Sequence, residues 1–224
     1  MNYSDFFIAI YTHECKSYCD KQFFEHLFNT DLREATVNIV DNSIGMNYFN
    51  NLNLLIDGIK PKGHTFINHI DVDRNNPHTQ FLRNVCESVN YLRDIFLKTK
   101  CLYFVILESD VLPPERWLHF FIETLSFADI IGGIYYAGWH GQDMFDAPGI
   151  IRMVTHALSG CTLYKREVIE KIPFRCDLSN PAAFPDAFMS MDALNAGYKL
   201  VDYSSINCQH IFKGGMDRGH ADIR

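Results

Sequence analysis

Two carboxylates one residue apart, Glu108 and Asp110, close the run Cys101-Leu102-Tyr103-Phe104-Val105-Ile106-Leu107, which is apolar throughout. Acidic side chains at the end of a buried segment are costly unless an opposite charge meets them. A divalent cation would meet that need, because Mg2+ and Mn2+ prefer carboxylate oxygens and share them with substrate phosphates. The plainer reading of Glu108-Ser109-Asp110 is a strand-to-turn junction with solvated acids. Asp41 also ends an apolar stretch. Its carboxylate could accept from ribose hydroxyls or a base imide, or simply close the strand as an Asx turn. Thr12-His13-Glu14 stand in the same position after Tyr11 and could line the same crevice. Asp186 follows Phe184-Pro185, where it could serve as a general base or as a helix N-cap. His210 could offer a neutral imidazole to a metal.

These residues need elements to hold them. Residues 6–11, 35–40, 65–72, 101–107, 128–136, 158–164 and 198–203 read as strands, the last of these as the final one. Helices are expected over 17–29, with Ser17 as N-cap, and over 46–59, 79–98, 114–125 led by Pro113-Pro114, 165–171 and 186–196. Gly197 suits the residue just past the last helix. Residues 138–149 read as a long glycine- and aromatic-rich loop, and 214–224 as a mobile tail. Alternating strands and helices predict an α/β fold with a mostly parallel central sheet. In such sheets ligands bind beyond the carboxyl ends of the strands. Three of the polar clusters lie at such ends: Thr12-His13-Glu14, Asp41-Asn42-Ser43 and Glu108-Ser109-Asp110.

Composition narrows the function. Lys and Arg number 20 against 27 Asp and Glu in 224 residues, a net charge of −7, which argues against nucleic acid as a partner. Within the chain no apolar run reaches the roughly 18 residues of a transmembrane segment, and the start does not read as a secretory leader. Seven cysteines, an odd number, argue against a disulfide framework and for a reduced, cytoplasmic setting. Cys15 and Cys19 have no second pair at zinc-ribbon spacing. Neither a Gly-x-Gly-x-x-Gly turn after the first strand, nor a P-loop, nor a Gly-x-Ser-x-Gly elbow is present.

Taken in order, these clusters resemble the inverting GT-A glycosyltransferases, in particular the large family 2 type. Phe7-Ile8-Ala9-Ile10-Tyr11-Thr12 is similar to that family's opening strand, and Asn38-Ile39-Val40-Asp41-Asn42-Ser43 to its second strand with the nucleotide-contacting Asp. Tyr103 through Pro114 resembles the strand, Asp-x-Asp motif and proline-led helix, and Ser159 through Arg166 the acceptor-side glycine strand. Asp186, 11 residues before Gly197-Tyr198-Lys199, matches the acidic helix start and its closing turn, and His210 matches a metal-ligating histidine. Glu108 stands where the family has Asp, and Pro185 where Glu commonly precedes the base. Arg83-Asn84 lies several residues upstream of the place of the family's Arg-Asn pair.

The resemblance implies a GT-A, Rossmann-like three-layer sandwich in a single domain over 1–224. About 1–110 would be the nucleotide-binding half, about 111–212 the acceptor side, and 213–224 the tail. It implies a nucleotide-sugar donor, a UDP-sugar above all, and a sugar, glycolipid or glycan acceptor. Thr12, Glu14, Asp41, Glu108 and Ser109 would contact the donor nucleotide. Asp110, His210 and Glu108 would hold Mn2+ or Mg2+, and Asp186 would be the catalytic base. Trp139, His140 and Gly160 would lie against donor or acceptor sugar. Three other readings stay open at this point: a retaining GT-A transferase, a nucleotidyltransferase, and a non-catalytic nucleotide- or sugar-binding relative.

Overall fold

The computed structural model describes residues 2–61, 63–71, 77–135, 148–177, 179, 184–213 and 215–216. In chain order the elements are β1 (Phe6–Thr12), α1 (Asp20–Asn29), β2 (Thr36–Asp41), α2 (Asn47–Ile59), β3 (His64–His69), α3 (Pro77–Leu97), β4 (Tyr103–Glu108) and β5 (Val111–Leu112). Then follow α4 (Trp117–Thr124), β6 (Ile130–Ile134), β7 (Ile151–Met153), β8 (Cys161–Lys165), α5 (Arg166–Lys171), α6 (Pro185–Asn195), β9 (Leu200–Asn207), β10 (Gln209–Phe212) and β11 (Gly215–Met216).

Among the described residues, eight strands form one sheet in the order β3-β2-β1-β4-β8-β6-β9-β7. The pairs β2/β3, β1/β2, β1/β4 and β6/β9 are parallel, and β8 and β7 run antiparallel to their neighbours. Strand alternation builds the three layers. On β1 the side chains of Phe6, Ile8 and Ile10 join one core with α1, α2 and α4 (Phe24, Leu52 and Trp117 among them), while Phe7, Ala9 and Tyr11 join the other with α3, α5 and α6 (Val89, Val168 and Met189). β4 divides in the same way, Val105 and Leu107 to the first core and Phe104 and Ile106 to the second. A strand covered on both faces can be apolar throughout, which explains the unbroken run before Glu108.

Several expectations need correction. The first helix begins at Asp20 with Cys19 as its N-cap, because residues 14–16 form a separate 3-10 turn; Ser17 closes that turn, its N–H donating to the Glu14 carbonyl, and does not cap the helix. The helix after Pro113-Pro114 begins only at Trp117. The strand from Leu200 is not the last. β10 follows it and pairs antiparallel with β5 on one side and β11 on the other, so the start of the expected tail is part of a small second sheet. Strands this short carry no readable period of their own; pairing with distant residues makes them. Gly197, with φ of +85°, closes α6 as expected.

Candidate active site

The carboxyl ends of β1 and β4 lie side by side, Tyr11 opposite Glu108 in the parallel register. The chain leaves β1 into the 3-10 turn Glu14–Lys16. That turn brings the Lys16 ammonium back over the acidic pair, 2.8 Å from Asp110 Oδ1 and 3.6 Å from Glu108 Oε2. Burial pushes this lysine down, but Glu108 and Asp110 more than offset it and hold it above the ordinary lysine range. Glu108 Oε1 accepts from the Tyr11 hydroxyl at 2.8 Å and from the Ser159 hydroxyl at 2.7 Å.

β10 completes the far side. Its antiparallel register sets His210 against Val111, and Ile211 N donates to the Asp110 carbonyl. The His210 Nε2 therefore lies 3.4 Å from Asp110 Oδ2. Burial pushes the Asp110 carboxyl up, but His210 and Lys16 outweigh that and hold it below the usual carboxylate range. The His210 ring packs edge-on against Phe212 and lies near Tyr135, and its buried Nδ1 has no hydrogen-bond partner among the described residues.

Asp186 sits in the first turn of α6, which Pro185 opens. Its carboxylate caps no helical N–H beyond its neighbour: Oδ1 accepts from Ala187 N at 2.9 Å, and Oδ2 accepts from Ser159 N at 3.2 Å. His156 Nε2 is 3.4 Å from Oδ2, and this carboxylate raises the His156 imidazole above its ordinary value against the opposing effect of burial. Ser159 thus ties Glu108 with its hydroxyl and Asp186 with its amide.

Two cavities meet here. A cleft of about 370 Å³ is bordered by Tyr11, Thr12, Glu14, Lys16, Asn42 and Asn84 among others. A smaller one, about 90 Å³, is bordered by Glu108, Ser159, Pro185 and Asp186. Tyr11, Lys16, Phe81 and Val85 border both. The exposed rings of Phe81 and Phe184 meet edge-to-face at this shared edge.

Of the residues singled out from sequence, Glu108, Asp110, His210 and Asp186 are brought to this region. Thr12 and Glu14 border the larger cleft, though the Thr12 hydroxyl is taken by the Tyr48 hydroxyl at 2.9 Å. Two expected donor contacts are placed elsewhere. Asp41 has no exposed surface: His69 Nδ1 meets Oδ2 at 2.8 Å and Ser43 N donates to Oδ1 at 2.8 Å. Its effect on the cleft is indirect, since Ser43 Oγ in turn accepts from Glu14 N. Ser109 is fully buried as well, with its hydroxyl unpartnered among the described residues and its carbonyl accepting from Cys19 Sγ. Gly160 is required for a packing reason, because any Cβ there would collide with the Tyr135 ring. Trp139 and His140 lie outside the described residues.

Lys16, Tyr11, Tyr135, His156 and Ser159 belong to the site and were not assigned to it from sequence. Burial and then Glu108, Asp186 and Asp110 raise the Tyr135 hydroxyl well above the ordinary tyrosine value, which marks it as standing among the acids. Only two of these carried a signal: Lys16 shares the loop of Thr12-His13-Glu14, and Ser159 precedes Gly160.

No family model matches the chain, and no curated protein sequence does. Solved structures do match in fold. The S. aureus TarS 1-349 structure in complex with UDP-GlcNAc superposes with a TM-score of 0.64 at 15% identity, over 91% of this chain and 57% of that one. The chain has the GT-A fold. The same GT-A core superposes on the mannosyltransferase PcManGT from Pyrobaculum calidifontis, in complex with GDP-Man and Mn2+, with a TM-score of 0.61 at 12% identity, over 91% of this chain and 56% of that one. A197 from STIV matches with a TM-score of 0.54 at 15% identity, over 93% and 86% of the two chains. This GT-A chain spans little over half the length of the TarS and PcManGT chains. Among its described residues no helix is long and apolar enough to cross a membrane.

Proposed function

We propose that this GT-A chain moves a sugar from a nucleotide-sugar donor, a UDP-sugar, to the hydroxyl of a sugar, glycolipid or glycan acceptor, with inversion at the anomeric carbon, in the cytoplasm. The observation that carries the reading is the junction of the two cavities at Lys16. A donor lying in the larger one, along Thr12 and Glu14, presents its anomeric carbon to the smaller one, where Asp186 lies. The fold neighbours in complex with UDP-GlcNAc and with GDP-Man support the donor class.

Asp186 is placed to take the acceptor proton. Its carboxylate has about four acceptor positions, and the bonds from Ala187 and Ser159 hold it in one orientation while leaving room for a hydroxyl. The acceptor oxygen attacks the anomeric carbon as the bond to the diphosphate oxygen breaks, and the proton passes to Asp186. Attack from the face opposite the leaving group inverts the configuration. Asp41 shapes the donor loop through Ser43 in this reading, and Glu108 positions Tyr11 and Ser159.

The donor set suits Mn2+ or Mg2+ as a partial shell. Asp110 Oδ2 and His210 Nε2 face each other at 3.4 Å. Among the described residues no group of three His, Cys, Asp or Glu side chains could hold an ion. One carboxylate and one imidazole are enough where donor phosphates and water complete the coordination. Asp110 and His210 would hold the ion, which when bound supplies Lewis-acid stabilisation to the diphosphate leaving group.

Thermal unfolding with a nucleotide and nucleotide-sugar panel, with and without Mn2+, tests the reading. A ligand at a hundredfold excess over its Kd adds about 2.7 kcal/mol to stability. The expected shift is confined to UDP compounds and is enlarged by Mn2+; a well-folded sample that responds to no nucleotide overturns the donor assignment. The product's anomeric configuration by NMR tests inversion.

A further inference from the structure

Lys16 is held where a cation would be held. Its side chain is only 17% exposed, its Nζ touches the same Asp110 carboxylate that faces His210, and it borders both cavities. Its place follows from the fold: β1 and β4 are adjacent and parallel, and the 3-10 turn after β1 folds back over the end of β4. The nearest charges are one ammonium and two carboxylates, Glu108 and Asp110, so the acids outnumber the lysine. A nucleoside diphosphate entering such a site meets net negative charge, and its own charge must be matched by cations. Lysine suits a change of partner, being a point charge with three donors on a flexible stem. A divalent ion at Asp110 and an ammonium 2.8 Å from the same carboxylate repel each other, so either one weakens the hold of the other.

We propose that Lys16 is a resident counter-ion that keeps a divalent cation off Asp110 until a nucleoside diphosphate enters, and that Lys16 then leaves Asp110 for a phosphate oxygen of that donor. The inference rests on the donor reading above and adds to it an order: the ion loads with the diphosphate, not before it.

The test reads Mn2+ affinity directly, from the free-ion signal in electron paramagnetic resonance, with no sugar transfer involved. Without nucleotide, Lys16→Gln is expected to bind Mn2+ about tenfold or more tightly than the wild type, and Lys16→Arg no more tightly. UDP is expected to tighten Mn2+ binding strongly in the wild type and less in Lys16→Gln; by reciprocity Mn2+ tightens UDP by the same factor in each. A well-folded Lys16→Gln with wild-type or weaker Mn2+ affinity overturns the proposal. Because that variant leaves two carboxylates without their counter-charge, an independent measurement uses the wild type. Acetylation of Lys16 by an amine reagent, mapped by mass spectrometry, is expected to speed up when Mn2+ alone is raised to saturation, and an unchanged rate overturns the proposal. If UDP binds but Mn2+ binds neither protein at any UDP concentration, the proposal fails while the donor reading survives. If UDP itself does not bind, the donor reading fails as well.

Discussion

Two aspartate–histidine pairs stand at carboxyl ends of strands in the same sheet, and they do different things. Asp41, at the end of β2, meets His69 at 2.8 Å, with Ser43 N on its other oxygen and no exposed surface. Asp110, just past β4, meets His210 at 3.4 Å, and its other oxygen is held by Lys16, a side chain that itself borders both cavities. The first pair is locked by register: β3 runs parallel to β2 and sets His69 directly opposite Asp41. The second is assembled by a strand that returns from the far end of the chain. A carboxylate with no exposed surface, its two oxygens each taken at 2.8 Å by a neighbouring imidazole and a backbone N–H, is part of the scaffold. Asp110 is held instead by a lysine that borders both cavities and by a looser imidazole, the partners that the proposed exchange requires.

Substitutions can break that contrast, beginning with the largest effects. Asp110→Ala is expected to lower kcat/KM for transfer by about 10³-fold or more and to abolish the Mn2+ enhancement of UDP affinity, measured by calorimetry. UDP affinity that still rises with Mn2+ in this variant would place the ion elsewhere. Asp186→Asn is expected to lower kcat by about 10²–10⁴-fold with donor Kd unchanged; parallel losses in donor binding and turnover would make Asp186 a structural residue instead.

Asp41→Ala reverses the pattern. It strands His69 Nδ1 and Ser43 N in a buried site, so urea unfolding should show a loss of about 2–4 kcal/mol, while the folded fraction still binds UDP. Normal stability with lost UDP binding would turn Asp41 back into a donor contact and erase the contrast.

The smallest effect concerns another buried aspartate, Asp202 on β9. Burial pushes its carboxyl up to about 7, against the opposing charges of His156 and Arg152. The folded value lies above the roughly 3.9 of an unfolded chain, so the fold prefers the protonated form. The stability it contributes is complete below about pH 4 and is lost as pH rises through about 7. Asp202→Asn should therefore raise Tm at pH 8 more than at pH 5. A variant that loses stability at pH 8 would show that the charged form of Asp202 is the one the fold holds.

The layered α/β architecture is legible along the chain. Alternating apolar strands and 3–4-spaced helices are local patterns, and β1, β4 and α3 could be read from them with small errors at the ends. That acids close buried strands is legible there too, because an apolar run ending in Glu108-Ser109-Asp110 needs no partner to be visible. The partners of each acid are set by pairing in space: Asp41 receives scaffold groups, and Asp110 receives a lysine that borders the cavities. Asp41 and Asp110 look alike in sequence; the edge strand β3 sets a histidine against one, and β10 and the turn after β1 set a histidine and a lysine against the other. β10 and β5 are too short to carry a period, so the strand that delivers His210 exists only through its pairing. Lys16 and Asp110 are 94 residues apart, and no local pattern joins them. Periodicity is a property of neighbours along the chain, whereas the charge around a carboxylate is a property of neighbours in space.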